Sequence, residues 1–212
     1  MNNKIVTIAL GVALTSFAFA ANAQKKYTEG AITYNTSTAA GETESKILFR
    51  GDSSAQVIVS GPATIKLITT VNHNYFAVLV DVPIASMKKA AVLTPDEIDQ
   101  SREELPNYTF TPTTETKQIA GYNCTKVLGK DAKSGDAEVW VTKDISAPAN
   151  TISSAFAGAG GFPVQITATQ QGQKGTLTLK SITEQTVPAG TFAVTKDYDK
   201  ITYDELKAMR GR

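Results

Sequence analysis

The chain has 212 residues, of which 42% are hydrophobic and 19% are charged, and its net charge is +1 at pH 7. This length and composition indicate a globular protein with one main core. Basic and acidic side chains are nearly balanced and no segment carries a basic stripe, which excludes nucleic acid and acidic surfaces as partners.

The first 23 residues have the three parts of an export signal. Lys4 supplies a positive start, Ile5–Ala20 is almost wholly apolar, and Ala21–Ala23 matches a small-x-small cleavage pattern. The apolar run is shorter than the roughly 20 residues that a membrane-spanning helix needs. We therefore predict a signal peptide over 1–23, cleaved after Ala23, and no membrane span. Residues 24–212 are predicted to form a single β-rich domain in the periplasm or outer envelope.

Apolar and polar residues alternate from Tyr27 onward, with the period that is typical of strands. Tyr75–Val82 is apolar on both faces, which predicts a strand that is covered on both sides. Asn72–Asn74 is predicted to be the turn before it. The strands predicted in this half are Ala31–Tyr34, Lys46–Arg50, Ala55–Ser60, Thr64–Val71, Tyr75–Val82 and Met87–Leu93.

Two short helices are predicted from the residues that begin them. Thr94 and Glu97 form a capping box, with a proline at the first helical position, and the helix should end before Pro106. Thr202 begins a second capping box, which predicts a helix over Tyr203–Arg210 at the end of the chain.

Gln118–Leu128 and Ala137–Thr142 alternate on either side of a polar, turn-rich segment and predict a β-hairpin. In the second strand, Val139 and Val141 share one face, and Trp140 lies on the other with polar neighbours. The remaining predicted strands are Tyr108–Thr113, Val164–Thr169, Thr176–Thr183 and Thr191–Thr195.

Roughly ten short strands with two small helices predict a mainly β fold. The most economical arrangement is a single antiparallel, curved sheet, either a half-barrel or barrel-like. Strands that are apolar on both faces fit such a sheet, because its inner face must be covered or must enclose an apolar space.

The sequence predicts no catalytic residue, no metal site and no cofactor. The single histidine, His73, lies between two asparagines in a predicted turn, where it is a poor general base. Cys124 lies in a predicted strand and is expected to be a buried core residue. Glu138 beside Trp140 is the one candidate for glycan hydrolysis, since a carboxylate and an aromatic ring on one strand face resemble a sugar platform.

The glycine-rich stretch Asn150–Pro163 interrupts the strand alternation. Its two phenylalanines, on a mobile loop, could close over the mouth of a hollow sheet, as in β-barrels that hold apolar ligands. The alternative is an ordinary loop whose aromatic rings pack into the core. On the first interpretation, the predicted contacts to an apolar ligand are Trp140, Phe156, Phe162 and Val164.

Two parts of the sequence resemble a known family: the motif Lys117–Lys126 with its continuation Glu138–Ile145, and Val187–Thr202 near the end. They resemble a domain-of-unknown-function family of secreted Bacteroidetes proteins related to the GLPGLI group. Gly160–Val164 stands where GLPGLI proteins carry their name-giving segment, which favours the sister family. The resemblance implies a periplasmic or outer-envelope β domain with no assigned catalytic residues.

The strand pattern also resembles, by fold analogy, the half-barrel of the periplasmic lipoprotein carriers LolA and LolB. That likeness implies a curved sheet around acyl chains beneath a helical lid. The predicted function is a non-enzymatic exported envelope protein that binds a lipid or acyl chain. The alternatives are a structural or protein-interaction module with a filled core, acting through edges such as Tyr108–Thr113, and an envelope glycan hydrolase that uses Glu138. No envelope protein partner is indicated.

Overall fold

The computed structural model of the protein describes residues 24–170 and 172–210. The predicted signal peptide, 1–23, and its cleavage site lie outside this range. The strands, β1 to β14 in chain order, are Lys25–Lys26, Glu29–Thr38, Gly41–Arg50, Ser53–Ser60, Ala63–Thr70, Phe76–Val82, Met87–Val92, Thr109–Ile119, Tyr122–Asp131, Gly135–Thr142, Ile145–Ser146, Phe162–Gln170, Gln173–Thr183 and Asp199–Lys200. The α-helices are α1, Pro95–Glu103, and α2, Tyr203–Arg210; 3-10 helices lie at Pro83–Ala85, Ala149–Thr151 and Ser154–Ala159.

Twelve strands form one curved sheet in the order β14-β7-β6-β5-β4-β3-β2-β13-β12-β10-β9-β8. All neighbours are antiparallel except β7 and β14, which are parallel. The two end strands, β14 and β8, do not pair, so the sheet stays open. A mainly β fold with one curved, mostly antiparallel sheet is confirmed. Strands β1 and β11 form a separate parallel pair.

The sheet has two distinct faces, which the strand register defines because cross-strand partners point to the same side. We call the inner face the one that carries Val78 and Leu67, which are paired with each other, and the outer face the one that carries Ala77 and Leu79. Alternation and register place these residues on the inner face: Tyr34, Ile47, Gln56, Leu67, Val78, Val139, Ile166 and Leu177.

Both faces of β6 are covered, as its doubly apolar sequence predicted. On the inner face, Val78 packs in a cluster with Ile98 of α1 and Leu206 of α2. On the outer face, Ala77 and Leu79 are buried beneath the segment 192–198. The two helices therefore lie over one half of the inner face.

The capping boxes predicted for both helices are present. The Thr94 hydroxyl accepts a hydrogen bond from the Glu97 amide, and the Glu97 carboxylate accepts one from the Thr94 amide at 2.7 Å. Thr202 and Glu205 make the same reciprocal pair at the start of α2. Of the helices in the described ranges, none has the length and apolar character needed to cross a membrane.

The prediction of one continuous strand over Gln118–Leu128 is wrong at its beginning. Strand β8 ends at Ile119 and β9 begins at Tyr122, and the turn between them holds Ala120 at φ 50° and Gly121 at φ 83°. Two positive φ values are what a two-residue type I′ hairpin requires. The apolar and polar alternation continues through so short a turn and therefore does not mark the break. The turn sequence Ala-Gly also lacks the Asn-Gly pair that usually identifies such a hairpin. The predicted hairpin of β9 and β10 is confirmed.

The strand predicted at Thr191–Thr195 is also wrong. The segment forms consecutive turns, in which the Thr191 amide donates to the Pro188 carbonyl and the Ala193 amide donates to the Gly190 carbonyl. Gly190 has a positive φ of 83°, which bends the chain away from an extended path. The apolar residues that suggested a strand instead cover the outer face: Phe192 and Val194.

Candidate ligand-binding cavity

A cavity of about 1200 Å³ lies against the inner face of the sheet. Its floor is formed by side chains of the central strands, and the two α-helices pack on one end of it, over Val78 and Leu67. The volume exceeds the roughly 300–1,000 Å³ of ordinary small-molecule sites. The apolar floor residues are Tyr34, Ile47, Leu67, Val78, Ile166 and Leu177.

Most of the floor is apolar because apolar residues recur at alternate positions of its strands and the register brings them side by side, with Ser54, Gln56 and Thr69 as polar exceptions. Ile166 of β12 pairs with Leu177 of β13, and Leu67 of β5 pairs with Val78 of β6. Two deeply buried hydroxyls lie on the floor: that of Tyr34 donates to the Pro163 carbonyl at 2.8 Å, and that of Ser54 donates to the Asn150 carbonyl at 2.7 Å. Burial raises the pKa of Tyr34, so the phenol stays neutral.

One wall of the cavity is the helical wall, formed by α1 and α2. Ile98 and Leu206 anchor the two helices on the sheet beside Val78. Arg102 fixes the end of α1, because its guanidinium donates to the His73 carbonyl at 3.0 Å. The helical wall is therefore tied both to the sheet and to the turn between β5 and β6.

The opposite wall is the loop wall, residues 149–159, which contains two of the 3-10 helices. Asn150 holds it down: its amide donates to the carbonyls of Asp52 at 3.0 Å and Thr69 at 3.2 Å. The Ser54 hydroxyl donates to the backbone carbonyl of Asn150 at 2.7 Å. Further along, the ring of Phe156 stacks on Tyr108 with centroids 5.4 Å apart.

The charged groups that line the cavity come from the helical wall, including the C-terminal end of α1, and from a hairpin tip; among the described residues none comes from the floor or the loop wall. They are Arg102, Glu104, Lys133 and Lys207. His73 also lines the cavity and is half-buried. Burial, and then the nearby Arg102 guanidinium, lower the pKa of His73, so its ring is neutral at pH 7.

The structure separates the four side chains that the sequence predicted as apolar-ligand contacts. Phe156 lines the cavity. Trp140, Phe162 and Val164 are instead buried together in a packed cluster that also holds Cys124. A ligand-binding role for these residues stays a prediction. The prediction that Cys124 is buried is confirmed, and burial raises the pKa of its thiol.

The residues that sequence reasoning missed are those of the cavity floor. The alternation of the strands assigns these residues to one face of the sheet. It does not indicate which of the two faces borders a cavity. That distinction depends on strand order, since β13 inserts between β2 and β12 across more than a hundred residues of chain. No local pattern encodes this pairing.

Glu138, the hydrolase candidate, lies on the outer face and not in the cavity. Its carboxylate accepts a hydrogen bond from the Trp140 indole at 2.8 Å and pairs with Lys126 at 3.0 Å. These two partners lower the pKa of Glu138, which favours the ionised form. Lys126 is shared with a second carboxylate, Glu115, at 3.3 Å. These residues form an ion network beside the Trp140 indole. The Lys117 ammonium lies over the same ring, 4.0 Å from its centroid.

The family model described as Domain of unknown function (DUF4412) matches residues 28–152. The chain belongs to this family. The match spans the sheet from β2 through β10, and with it the motif Lys117–Lys126, but it stops before Val187–Thr202. The relation of this DUF4412 protein to the GLPGLI group and to Bacteroidetes stays a prediction. A comparison with curated protein sequences found no match.

Solved structures share the fold at low sequence identity. The chain is similar to PNGF-II, with 15% identity and a TM-score of 0.51. The match covers 87% of this chain and 33% of the PNGF-II chain, so this protein spans about a third of the length of PNGF-II. It is also similar to an uncharacterized conserved protein from Thermus thermophilus (7% identity, TM-score 0.50, 82% and 90% covered). A chain of the Pseudomonas aeruginosa MucA/MucB complex gives 9% identity, TM-score 0.47, and 82% and 58% coverage. These likenesses concern the fold alone.

Proposed function

We propose that this DUF4412 protein is an exported, non-enzymatic envelope protein that binds a lipid or acyl chain in the cavity on the inner face of its sheet. The observation that carries the proposal is the 1200 Å³ space with its apolar floor. An interior filled by the protein's own side chains would have favoured the alternative of a purely structural module.

The apolar floor supplies the free energy for such binding. Each buried methylene contributes about 0.8 kcal/mol, so a chain that buries a dozen of them gains roughly 10 kcal/mol on transfer from water. The loss of translational and rotational freedom on association removes at least about 4 kcal/mol of this. The remainder is enough for reversible capture, which suits a carrier or a receptor.

The walls are suited to the entry of a ligand. The loop wall is fastened by Asn150 at one end, while Phe156 is only half-buried against Tyr108. A short loop with one such aromatic contact can move at less cost than a strand of the sheet. We therefore retain Phe156 as a ligand contact and assign Trp140 to the outer ion network.

The absence of catalysis is part of the proposal and rests on the placement of Glu138. A general acid for glycoside cleavage needs a raised pKa beside the substrate, whereas the pKa of Glu138 is lowered and its carboxylate is engaged by Lys126 and Trp140. Export and an envelope location are also proposed, on the strength of the signal-like sequence of residues 1–23.

The test is mass spectrometry of organic extracts from the protein purified from its own envelope. The proposal predicts an acyl-chain lipid in an amount approaching one molecule per protein. The control is an envelope protein of similar size purified through the same steps, which accounts for carried-over membrane lipid. Equal amounts of lipid in the two extracts would contradict the proposal.

A further inference from the structure

The charged side chains that line the cavity are biased in sign. Three are permanent cations, Arg102, Lys133 and Lys207, and within the described residues that line it Glu104 is the one carboxylate. Over the whole chain, 21 basic residues face 20 acidic ones. The excess of positive charge at the cavity is therefore local, and overall composition does not explain it.

We call the three cations that line the cavity the rim, because each of them is exposed to water. Arg102 lies on α1, Lys207 on α2, and Lys133 in the turn between β9 and β10, so three separate elements bring them to one cavity. The Arg102 and Lys207 side chains are 44% and 52% exposed, and Lys133 is also exposed. The charges are thus in contact with water, while the apolar floor lies below them.

The rim cations are only weakly neutralised by the protein itself. Arg102 pairs with Asp99 at 3.3 Å and Lys207 with Asp204 at 2.8 Å, each one turn away on its own helix. Exposed pairs of this kind are weak and exchange readily. Lys133 makes no ion pair in the part of the chain that the structure describes. A ligand anion can therefore recruit Lys133 and Lys207, and can recruit Arg102 by displacing Asp99 while its other nitrogen stays on the His73 carbonyl.

We infer that the ligand is an anionic amphipath: a single acyl chain that lies on the apolar floor, with a carboxylate or phosphate head group held at the rim by Arg102, Lys133 and Lys207. This inference rests on the proposed function and narrows its ligand class. The floor has no cation to hold the head group, so the charge stays at the mouth, in water. A quaternary ammonium head would be repelled by the same three side chains.

The experiment compares ligands that share one chain and differ only in the head group. Myristate, myristyl phosphate, myristyl alcohol and myristyl trimethylammonium are each used to displace a fluorescent acyl probe from the purified protein. An exposed ion pair changes affinity by a factor of about 1.4 to 5, so three rim cations should favour the anions over the alcohol by about tenfold. The advantage should shrink as salt is raised.

The matched variants remove charge at the rim or elsewhere. The triple variant Arg102→Gln/Lys133→Gln/Lys207→Gln should lose about tenfold in affinity for both anions and far less for the alcohol. The control removes three exposed lysines that do not line the cavity and should keep the preference for anions. Its substitutions are Lys26→Gln, Lys130→Gln and Lys143→Gln.

The outcomes separate the two proposals. Equal affinity for all four head groups, or a preference for the ammonium, overturns the inference and leaves the proposed function standing. If the acyl probe does not bind, or if none of the four ligands displaces it, the proposed function is overturned as well. A preference for myristyl phosphate over myristate would identify the head group as a lipid phosphate, and the reverse preference would identify a fatty acid.

Discussion

Asn150 connects the loop wall of the cavity to the sheet. Its side chain is 6% exposed, and its amide group donates to two backbone carbonyls from different parts of the chain. Its own amide oxygen is buried without a partner among the described residues, which is costly in a protein interior. The two hydrogen bonds that the amide donates offset that cost. Asn150 therefore holds the loop wall against the sheet although its own amide oxygen has no partner.

Replacing Asn150 with alanine should destabilise the protein by about 1 to 2 kcal/mol, because its two hydrogen bonds to the carbonyls of Asp52 and Thr69 are lost while the Asp52 carbonyl keeps the Val71 amide as a donor. The free energy of unfolding in urea measures the loss. Asn72→Ala is the matched control: Asn72 is exposed in a turn, and its loss should cost less than about 0.5 kcal/mol. Similar losses in the two variants would contradict the anchoring role of Asn150.

Glu138 should affect stability in a pH-dependent way. Its folded-state pKa is lowered, so the stabilisation is complete above its ordinary pKa of about 4.3 and is lost as the pH falls through the lowered value. The side chain is 40% exposed, which limits the effect to less than about 1 kcal/mol. We expect Glu138→Gln to be less stable than wild type at neutral pH.

Unfolding measured at pH 7 and at pH 3 checks this prediction, since the difference between wild type and Glu138→Gln should be smaller at the lower pH. A constant difference across that range would show that the ion network is not its source. Loss of a polysaccharide-cleaving activity in this variant would instead revive the hydrolase hypothesis.

Among the elements, β2 and β13 leave no room for a side chain at Gly30. A Cβ atom added there would overlap the Thr183 carbonyl oxygen and would lie 3.3 Å from the ring of Phe49. The register of β13 against β2 shifts between Leu179 and Ser181, just before this contact. Glycine is required here by space, because the backbone of the neighbouring strand occupies the position of a side chain.

Gly30→Ala should therefore destabilise the protein by about 3 kcal/mol or more, at the upper end of what overpacking costs, since a paired backbone cannot shift aside. Gly175→Ala on β13 is the control, because its Cβ would make ordinary contacts with a Thr38 methyl group at 3.4 Å and the Ser37 carbonyl oxygen at 3.7 Å. That change should be neutral or slightly stabilising. The midpoints of thermal unfolding compare the two, and equal midpoints would contradict the argument.

For helices and strands, the sequence predicted the features that depend only on residues close together in the chain. Both helices were predicted from their capping boxes, because Thr94 and Thr202 satisfy backbone amides within one turn. The break at Ala120 and the turns around Thr191 were missed, since their conformations depend on positive φ values that the alternation does not report. The register shift near Leu179 and the close approach at Gly30 depend on a partner strand far away in the chain, so no window of sequence contains them.

For the whole molecule, the sequence predicted a curved sheet, half-barrel or barrel-like, but neither whether the sheet closes nor which of its surfaces is hollow. Trp140, Phe162 and Val164 pack into the core, and Phe156 alone of the predicted contacts reaches the cavity. The cavity exists because α1 and α2 cover one part of the inner face and the loop wall covers another. That division follows from strand order and from where the connecting segments return to the sheet.

The central claim is that the inner face of this open sheet holds an acyl chain. Binding of a fluorescent acyl probe to wild type, Leu67→Trp and Lys66→Trp tests it most directly. Leu67 lines the cavity, and Lys66 is its neighbour on the same strand, pointing to the outer face. Tryptophan at Leu67 should project over the apolar floor, take the place of part of the bound chain and weaken probe binding by about tenfold or more, while Lys66→Trp should bind like wild type. Equal binding by all three proteins would contradict the account.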